Sequence, residues 1–293
     1  MRSSEAQTAG DIVAAAQLAC LLEATAPKPG NVSPDRDFAD LTYEDLLASA
    51  AAIGGPLAGA GARPLGTTVR LAIDATGRWT RSNANLGLVL LLAPLIRAAM
   101  IQLRPQAANR DLRGAVRTVL EDTTVDDARE VYAASRRAAP GGLGRVAQQD
   151  VADEPSVTLL EAMRLGAGHD DIAHEYATGF EITFERAVPT LQQARADGLC
   201  WSDAIVETFL GILAARPDSH VARRGGAALA ADVSRRACAA VAVGGVRTEE
   251  GRRVIADTDR ALRDPRHLAN PGTTADLMAA AIFVVLVDGI MKT

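Results

Sequence analysis

Leu86-Gly87-Leu88-Val89-Leu90-Leu91-Leu92-Ala93-Pro94-Leu95-Ile96 is an uninterrupted apolar run, and how it is read decides the fold. It has a counterpart near the carboxyl end, Leu277 to Val287. Both are shorter than the about 20 residues needed to span a bilayer, and Pro94 interrupts the first. They read as buried core helices. The composition agrees: hydrophobic residues make up 48% of the 293-residue chain but aromatic ones only 3%, and alanine and leucine dominate the apolar share. Alanine loses no side-chain entropy in a helix and leucine little, whereas the β-branched and aromatic residues that suit strands are sparse. The expected fold is all-α, a multi-helix bundle around apolar central helices.

Helix signals recur on both sides of these runs without strand-like alternation. Thr42 with Asp45 forms a capping-box pattern before Leu46 to Ile53, and Thr124 with Asp127 does the same before Ala128 to Ala139. Pro140-Gly141-Gly142 stops that second helix. Asp170 to Arg195 reads as one long helix, with Pro189 as the place for a break, and Gly198 separates it from a helix capped by Ser202. Thr248 opens a helix through Ala261, and Thr273 or Thr274 is expected to cap the last one. No repeat or linker divides the chain, so residues 1–293 are expected to form a single domain. Pro140 to Pro155, with Arg145, Gln148, Gln149, Asp150, Asp153 and Glu154, reads as the longest loop, either a binding loop or a plain connection.

The net charge of −5 argues against a general nucleic-acid surface. Cys20, Cys200 and Cys238 are odd in number and far apart, which indicates neither a disulfide framework nor a zinc site. A polar amino terminus lacks the apolar core of a signal peptide. A cytoplasmic protein without membrane partners is expected. There is no Gly-x-x-x-x-Gly-Lys-Ser/Thr phosphate loop and no Gly-x-Ser-x-Gly nucleophile elbow. Gly142 to Ala147 fits Gly-x-Gly-x-x-Ala formally, but it follows a helix rather than a strand. His169-Asp170 has too few histidines around it for a metal-dependent phosphohydrolase.

Pro27-Lys28-Pro29-Gly30-Asn31-Val32 carries the strongest chemical signal. Each proline fixes its own φ and pushes the preceding residue out of the helical region, so a helix over Ile12 to Ala24 must end here. Gly30 permits a tight turn. A lysine on so rigid an exit can serve as a point charge for phosphate, and it can equally be a solvated residue beside a helix terminator. Glu23, on the last turn of the preceding helix, opposes the preference for cations there.

With Glu23, this hexapeptide resembles the signature of the triphosphoribosyl-dephospho-CoA synthase family, helical enzymes that take the ribose triphosphate from ATP and release adenine. Asp35-Arg36-Asp37-Phe38 and Leu46-Leu47-Ala48-Ser49-Ala50 look like its continuation. Ser82-Asn83-Ala84-Asn85-Leu86-Gly87 stands where the family carries Asn-Thr-His-Lys-Gly, so an imidazole and a cation are absent there. Asp218-Ser219-His220-Val221-Ala222-Arg223-Arg224-Gly225-Gly226 and Asn270-Pro271-Gly272-Thr273-Thr274-Ala275-Asp276-Leu277 resemble its Asp-Thr/Arg-Gly-Gly and Pro-Gly-Gly-x-Ala-Asp-Leu segments. Arg36 stands where many members carry histidine. The matches run in family order along nearly the whole chain.

The resemblance implies an ATP-dependent triphosphoribosyl transferase with Mg²⁺, acting on an acceptor alcohol, most directly dephospho-CoA. A site for that chemistry needs a carboxylate for the acceptor proton, a donor for the departing base and cations for the triphosphate. Glu23, Asp37 and Asp276 are the catalytic candidates; Lys28, Asn31, Asn83, Asn85, Arg223, Arg224 and Asn270 are those for phosphate or nucleotide. Asp37, Asp218 and Asp276 are expected to hold the metal. Each has a plainer reading: Asn85 as an N-cap, the arginines as a solvated pair of which one, by the family pattern Arg224, faces the site, and Asp276 as a complement to a helix dipole. Gly87 would admit a ligand or another helix. The departures leave two alternatives, the same transfer to another alcohol such as a pterin-cofactor precursor, and a non-catalytic helical partner protein. A homodimer is left open.

Overall fold

A computed structural model describes residues 2–82, 84–103, 111–139 and 148–291, and side chains from residue 8 onward. Among the described residues there is no β-strand, and helices follow one another in the order α1 (Arg2–Thr25), α2 (Tyr43–Ala52), α3 (Gly54–Ala58), α4 (Leu65–Thr76), α5 (Leu86–Gln102), α6 (Leu112–Glu121), α7 (Val125–Ala138), α8 (Leu159–Gly166), α9 (Asp171–Thr178), a π-helical segment (Ile182–Ala187), α10 (Val188–Ala196), α11 (Trp201–Ala215), α12 (Ser219–Gly225), α13 (Ala227–Ala242), a 3₁₀ turn (Gly245–Arg247), α14 (Glu249–Leu262) and α15 (Gly272–Met291). The two apolar runs lie in α5 and α15, which pack against each other and against α1. Their side chains are buried almost all round, as expected for helices at the centre of a bundle. At 20 residues α15 is long and apolar enough by length and composition to cross a membrane, but 61% of its most apolar stretch is buried inside the protein. One hydrophobic cluster runs from Ile12 through both helices to Val287.

Pro94 does not break α5. It removes the N–H that would bond to the Leu90 carbonyl, and the buried Tyr176 hydroxyl donates to that carbonyl instead at 2.8 Å. Both capping boxes form as read, Thr42 with Asp45 and Thr124 with Asp127. Thr248 caps α14, and Gly198, at φ 89°, separates α10 from α11.

Three local expectations are corrected. The long helix from Asp170 breaks at Gly179 and Phe180, both at positive φ, and not at Pro189. The buried Glu175 carboxylate reaches over the break and accepts from the N–H groups of Ile182 (2.7 Å) and Thr183 (2.9 Å), so it caps the next helical segment from outside. Pro189 is then tolerated, because it sits in the first turn of α10, just past the wider π turn. Ser202 is not a cap; Cys200 holds that position without a side-chain bond. Thr273 and Thr274 lie inside the first turn of α15, and the carboxylate that accepts from Thr274 comes from Asp218. The loop expected over Pro140 to Pro155 lies outside the described residues as far as position 147; Gln149 beyond it accepts the Tyr132 hydroxyl at its carbonyl.

Replacing Glu175 with glutamine would turn an amide against one of two backbone N–H groups. The Glu175→Gln variant is expected to lose about 1–3 kcal/mol of unfolding free energy in urea titrations. A change below about 0.3 kcal/mol would show that the carboxylate does not cap the π segment.

Candidate active site

Six chain segments meet at a pocket of ≈ 110 Å³: the end of α1, the following loop to Leu41, α2, the amino terminus of α5, α12, and the turn between α14 and α15 with the first turns of α15. The loop after α1 is shaped by Gly30, at φ 77°, where an added Cβ would lie 3.0 Å from Leu262 and 3.1 Å from Pro271. Asp259 of α14 holds it there. Its carboxylate accepts the Gly30 N–H at 2.9 Å and pairs with Arg36 and Arg263, while Arg263 also donates to the Asn31 carbonyl at 2.9 Å. Arg36, read above as a departure from histidine, is therefore a clamp for the loop.

Lys28 corrects the reading of a phosphate-binding cation. It points inward, with 1% of its surface exposed, and its ammonium donates to the carbonyls of Glu23 and Ala26 and to the Glu23 carboxylate at 2.9 Å. An ammonium has three donors, and all three are used. The same contacts explain why Glu23 is tolerated at a helix carboxyl end: the cation that the dipole favours arrives from beyond the helix. Glu23 itself lines the pocket.

Asp276, in the first turns of α15, lines the pocket as well. Gly87 brings it to the amino terminus of α5, since a Cβ at position 87 would overlap Asp276 Oδ2. This is the close approach expected of that glycine, made by a neighbouring helix. Among the described residues no hydrogen bond reaches the Asp276 carboxylate. Burial first, then the negative charges of Glu23, Asp218 and Asp170, push its pKa well above the ordinary carboxylate value, with Arg223 pulling the other way. Next to it, the Cys20 thiol is also pushed up by burial and by Glu23.

Asp218 does not fit the metal role assigned to it. Oδ1 accepts the Val221 N–H at 2.9 Å and Oδ2 accepts both the N–H and the hydroxyl of Thr274 at 2.7 Å, so one carboxylate caps α12 and the start of α15 together. Burial raises its pKa to about 6 even against those bonds. Asp37 is exposed, accepts the Tyr43 N–H at 2.8 Å and does not line the pocket. Of the two arginines, Arg224 is tied to the carbonyls of Arg266 and His267, whereas Arg223 pairs with Asp170 at 3.1 Å and is the one whose charge reaches Asp276. That reverses the expected choice, because the last turn of α12 directs Arg224 toward the turn before α15. Asn85 stands at the cap position of α5 but sends its amide to Thr76 Oγ1 at 3.0 Å. Asn31, Asn85 and Asn270 line the pocket; Asn83 lies outside the described residues. His220, not among the sequence candidates, lines it too, and burial with the nearby arginines lowers its pKa to about 3.

Fold and pocket define an all-helical protein whose site is an acidic cleft at converging helix ends. The chain belongs to the ATP:dephospho-CoA triphosphoribosyl transferase family, whose profile matches residues 9–293. It is similar to a Pseudomonas putida protein named "Probable 2-(5''-triphosphoribosyl)-3'-dephosphocoenzyme-A synthase", at 34% identity over 48% of this chain and 50% of the relative. It is also similar to the Klebsiella pneumoniae 2-(5''-triphosphoribosyl)-3'-dephosphocoenzyme-A synthase, at 32% identity over 39% of this chain and 40% of the relative. The matches thus span half or less of these relatives' length. A crystal structure described as that of a "putative triphosphoribosyl-dephospho-coA synthase from Archaeoglobus fulgidus" superposes with a TM-score of 0.66 at 30% identity, over 85% of this chain and 99% of that one.

Gly87→Ala separates stability from the site. Alanine is the better helix former, so the urea unfolding free energy is expected to stay within about 1 kcal/mol of the parent. The displaced Asp276 carboxylate should lower turnover of the family's substrates by about 10²-fold. Full activity with an unchanged fold would show that the position of Asp276 is immaterial.

Proposed function

We propose that this protein transfers the triphosphoribosyl group of ATP to a hydroxyl of dephospho-CoA and releases adenine. Family membership supports the reaction class, and the observation that carries the site is the Asp276 carboxylate, lining a pocket without a hydrogen-bond partner among the described residues. In the reaction the acceptor oxygen forms a bond to the anomeric carbon as the bond from that carbon to adenine breaks. The electron pair of the broken bond leaves with adenine, and the proton of the acceptor hydroxyl is removed. Overall one proton moves from acceptor to adenine.

Asp276 is the group placed to take that proton. A carboxylate whose pKa is raised by burial and by like charge is a stronger base than one in water, and here both causes act. Glu23 contributes charge rather than proton transfer, since it is already paired with Lys28. The amino terminus of α5 directs its dipole at the same place and favours negative charge there. Mg²⁺ would be held by the substrate phosphates together with Glu23, the pocket carboxylate not used as the base, since such an ion is commonly held by one or two carboxylates with phosphate oxygens. When bound it would neutralise triphosphate charge beside that carboxylate. Asn31 and Asn85 add neutral polar groups to the pocket lining.

The test is chromatography of the protein incubated with Mg²⁺-ATP, with and without dephospho-CoA. Free adenine and a heavier CoA-derived product should appear together and only when the acceptor is present, and Asp276→Asn should reduce both by about 10²–10⁴-fold. Adenine without an adduct would establish hydrolysis instead. Product formation undiminished in Asp276→Asn would remove this carboxylate from the base role.

A further inference from the structure

Buried polar atoms without a partner are rare in native proteins, and each calls for an explanation. Among the described residues, three that line the pocket or adjoin its lining carry such atoms: His220 Nε2, Asn270 Oδ1 and both ring nitrogens of His267. His220 and Asn270 line the pocket directly. His267, at φ 51°, is stacked on the pocket-lining Phe38, with ring centroids 3.9 Å apart and planes 17° from parallel. Gly272 makes room for His220, since a Cβ there would lie 2.6 Å from its Nδ1.

The chemistry of this wall is neutral and aromatic. The cations close to it are already engaged: Arg224 on backbone carbonyls, Arg263 on Asp259 and Asn31, and Lys28 on Glu23. A carbonyl oxygen such as Asn270 Oδ1 would repel a phosphate oxygen. It would accept from an exocyclic amine, and an uncharged imidazole can donate to N7, the ring nitrogen beside that amine and an acceptor in hypoxanthine as well. The carboxylates of Glu23 and Asp276 line the same pocket.

We infer that His220 and Asn270 form a purine-reading subsite, with Phe38 backed by His267 as its aromatic wall, that recognises the amino edge of adenine. This rests on the reading of the protein as an ATP-using transferase and adds to it where the base lies and why adenine is chosen. The two residues determine specificity. His220 has a second role in the departure of the base, because a hydrogen bond to a ring nitrogen strengthens as negative charge develops on the leaving adenine.

Inosine triphosphate, which presents a carbonyl where ATP presents the amine, separates the possibilities. Binding of both nucleotides to the full-length protein with Mg²⁺ is measured by calorimetry, for the parent, Asn270→Leu and His220→Phe. The parent should prefer ATP by about tenfold or more, as expected where a site is built to pair with an amino group. Asn270→Leu should erase that preference by weakening ATP alone, and His220→Phe should weaken both nucleotides. Circular dichroism melts identify a variant that fails to fold, and the other variant then carries the test. An ATP preference unchanged in both variants overturns the subsite while leaving the transferase reading intact. No ATP binding by the folded parent overturns that reading and the subsite with it.

Discussion

The Asp218 carboxylate, shared between the first turns of two helices, is the constraint on which the rest of the site depends. One oxygen takes the Val221 N–H of α12 and the other takes the N–H and hydroxyl of Thr274 in α15. Helix starts leave N–H groups without intrahelical partners, and burying them unpaired would cost about 1–3 kcal/mol each. A single buried side chain satisfies donors from both and thereby fixes one helix against the other. His220 and Arg223 on α12 and Asp276 on α15 take their relative positions from that junction. Asp218 is thus a structural centre for the acidic cluster, and its charge adds to the field at Asp276.

A second constraint acts from the other end of the pocket. The Pro-Lys-Pro-Gly turn folds Lys28 back under the carboxyl end of α1, where it pairs with Glu23 and satisfies two carbonyls. Removing one partner of such a buried pair typically costs about 3–5 kcal/mol, because the other is left charged and unpaired. The pair explains how two acidic side chains, Glu23 and Asp276, can face one cleft in a folded protein. Asp259 then clamps the turn from α14 through Gly30, Arg36 and Arg263.

Features governed by near neighbours in sequence were legible before the structure. The capping boxes of α2 and α7 join residues three apart, and the apolar central helices declare themselves by composition. Features governed by distant residues were not. The break at Gly179 depends on Glu175 reaching forward to Ile182, and the cap of α15 comes from Asp218, on another helix. The rigidity of the turn at Lys28 was readable, but not its direction, which is set by carbonyls at the end of α1. The choice between Arg223 and Arg224 turned on Asp170 and on the carbonyls of Arg266 and His267, all remote in sequence. Nothing in the sequence marks His220, between Asp218 and Arg223, as a site residue, because only the folded pocket shows its nitrogen without a partner among the described residues.

What unites these elements is a carboxylate kept basic and accessible in a crowded acidic site. The most direct measurement is a ¹³C NMR titration of the side-chain carboxyl of Asp276, assigned by comparison with Asp276→Asn, in the absence of nucleotide and divalent cation. Burial and the charges of Glu23, Asp218 and Asp170 require a titration midpoint above the ordinary aspartate value of about 4. A midpoint at or below that value would mean that Asp276 is solvated or paired, and would contradict the account of the site.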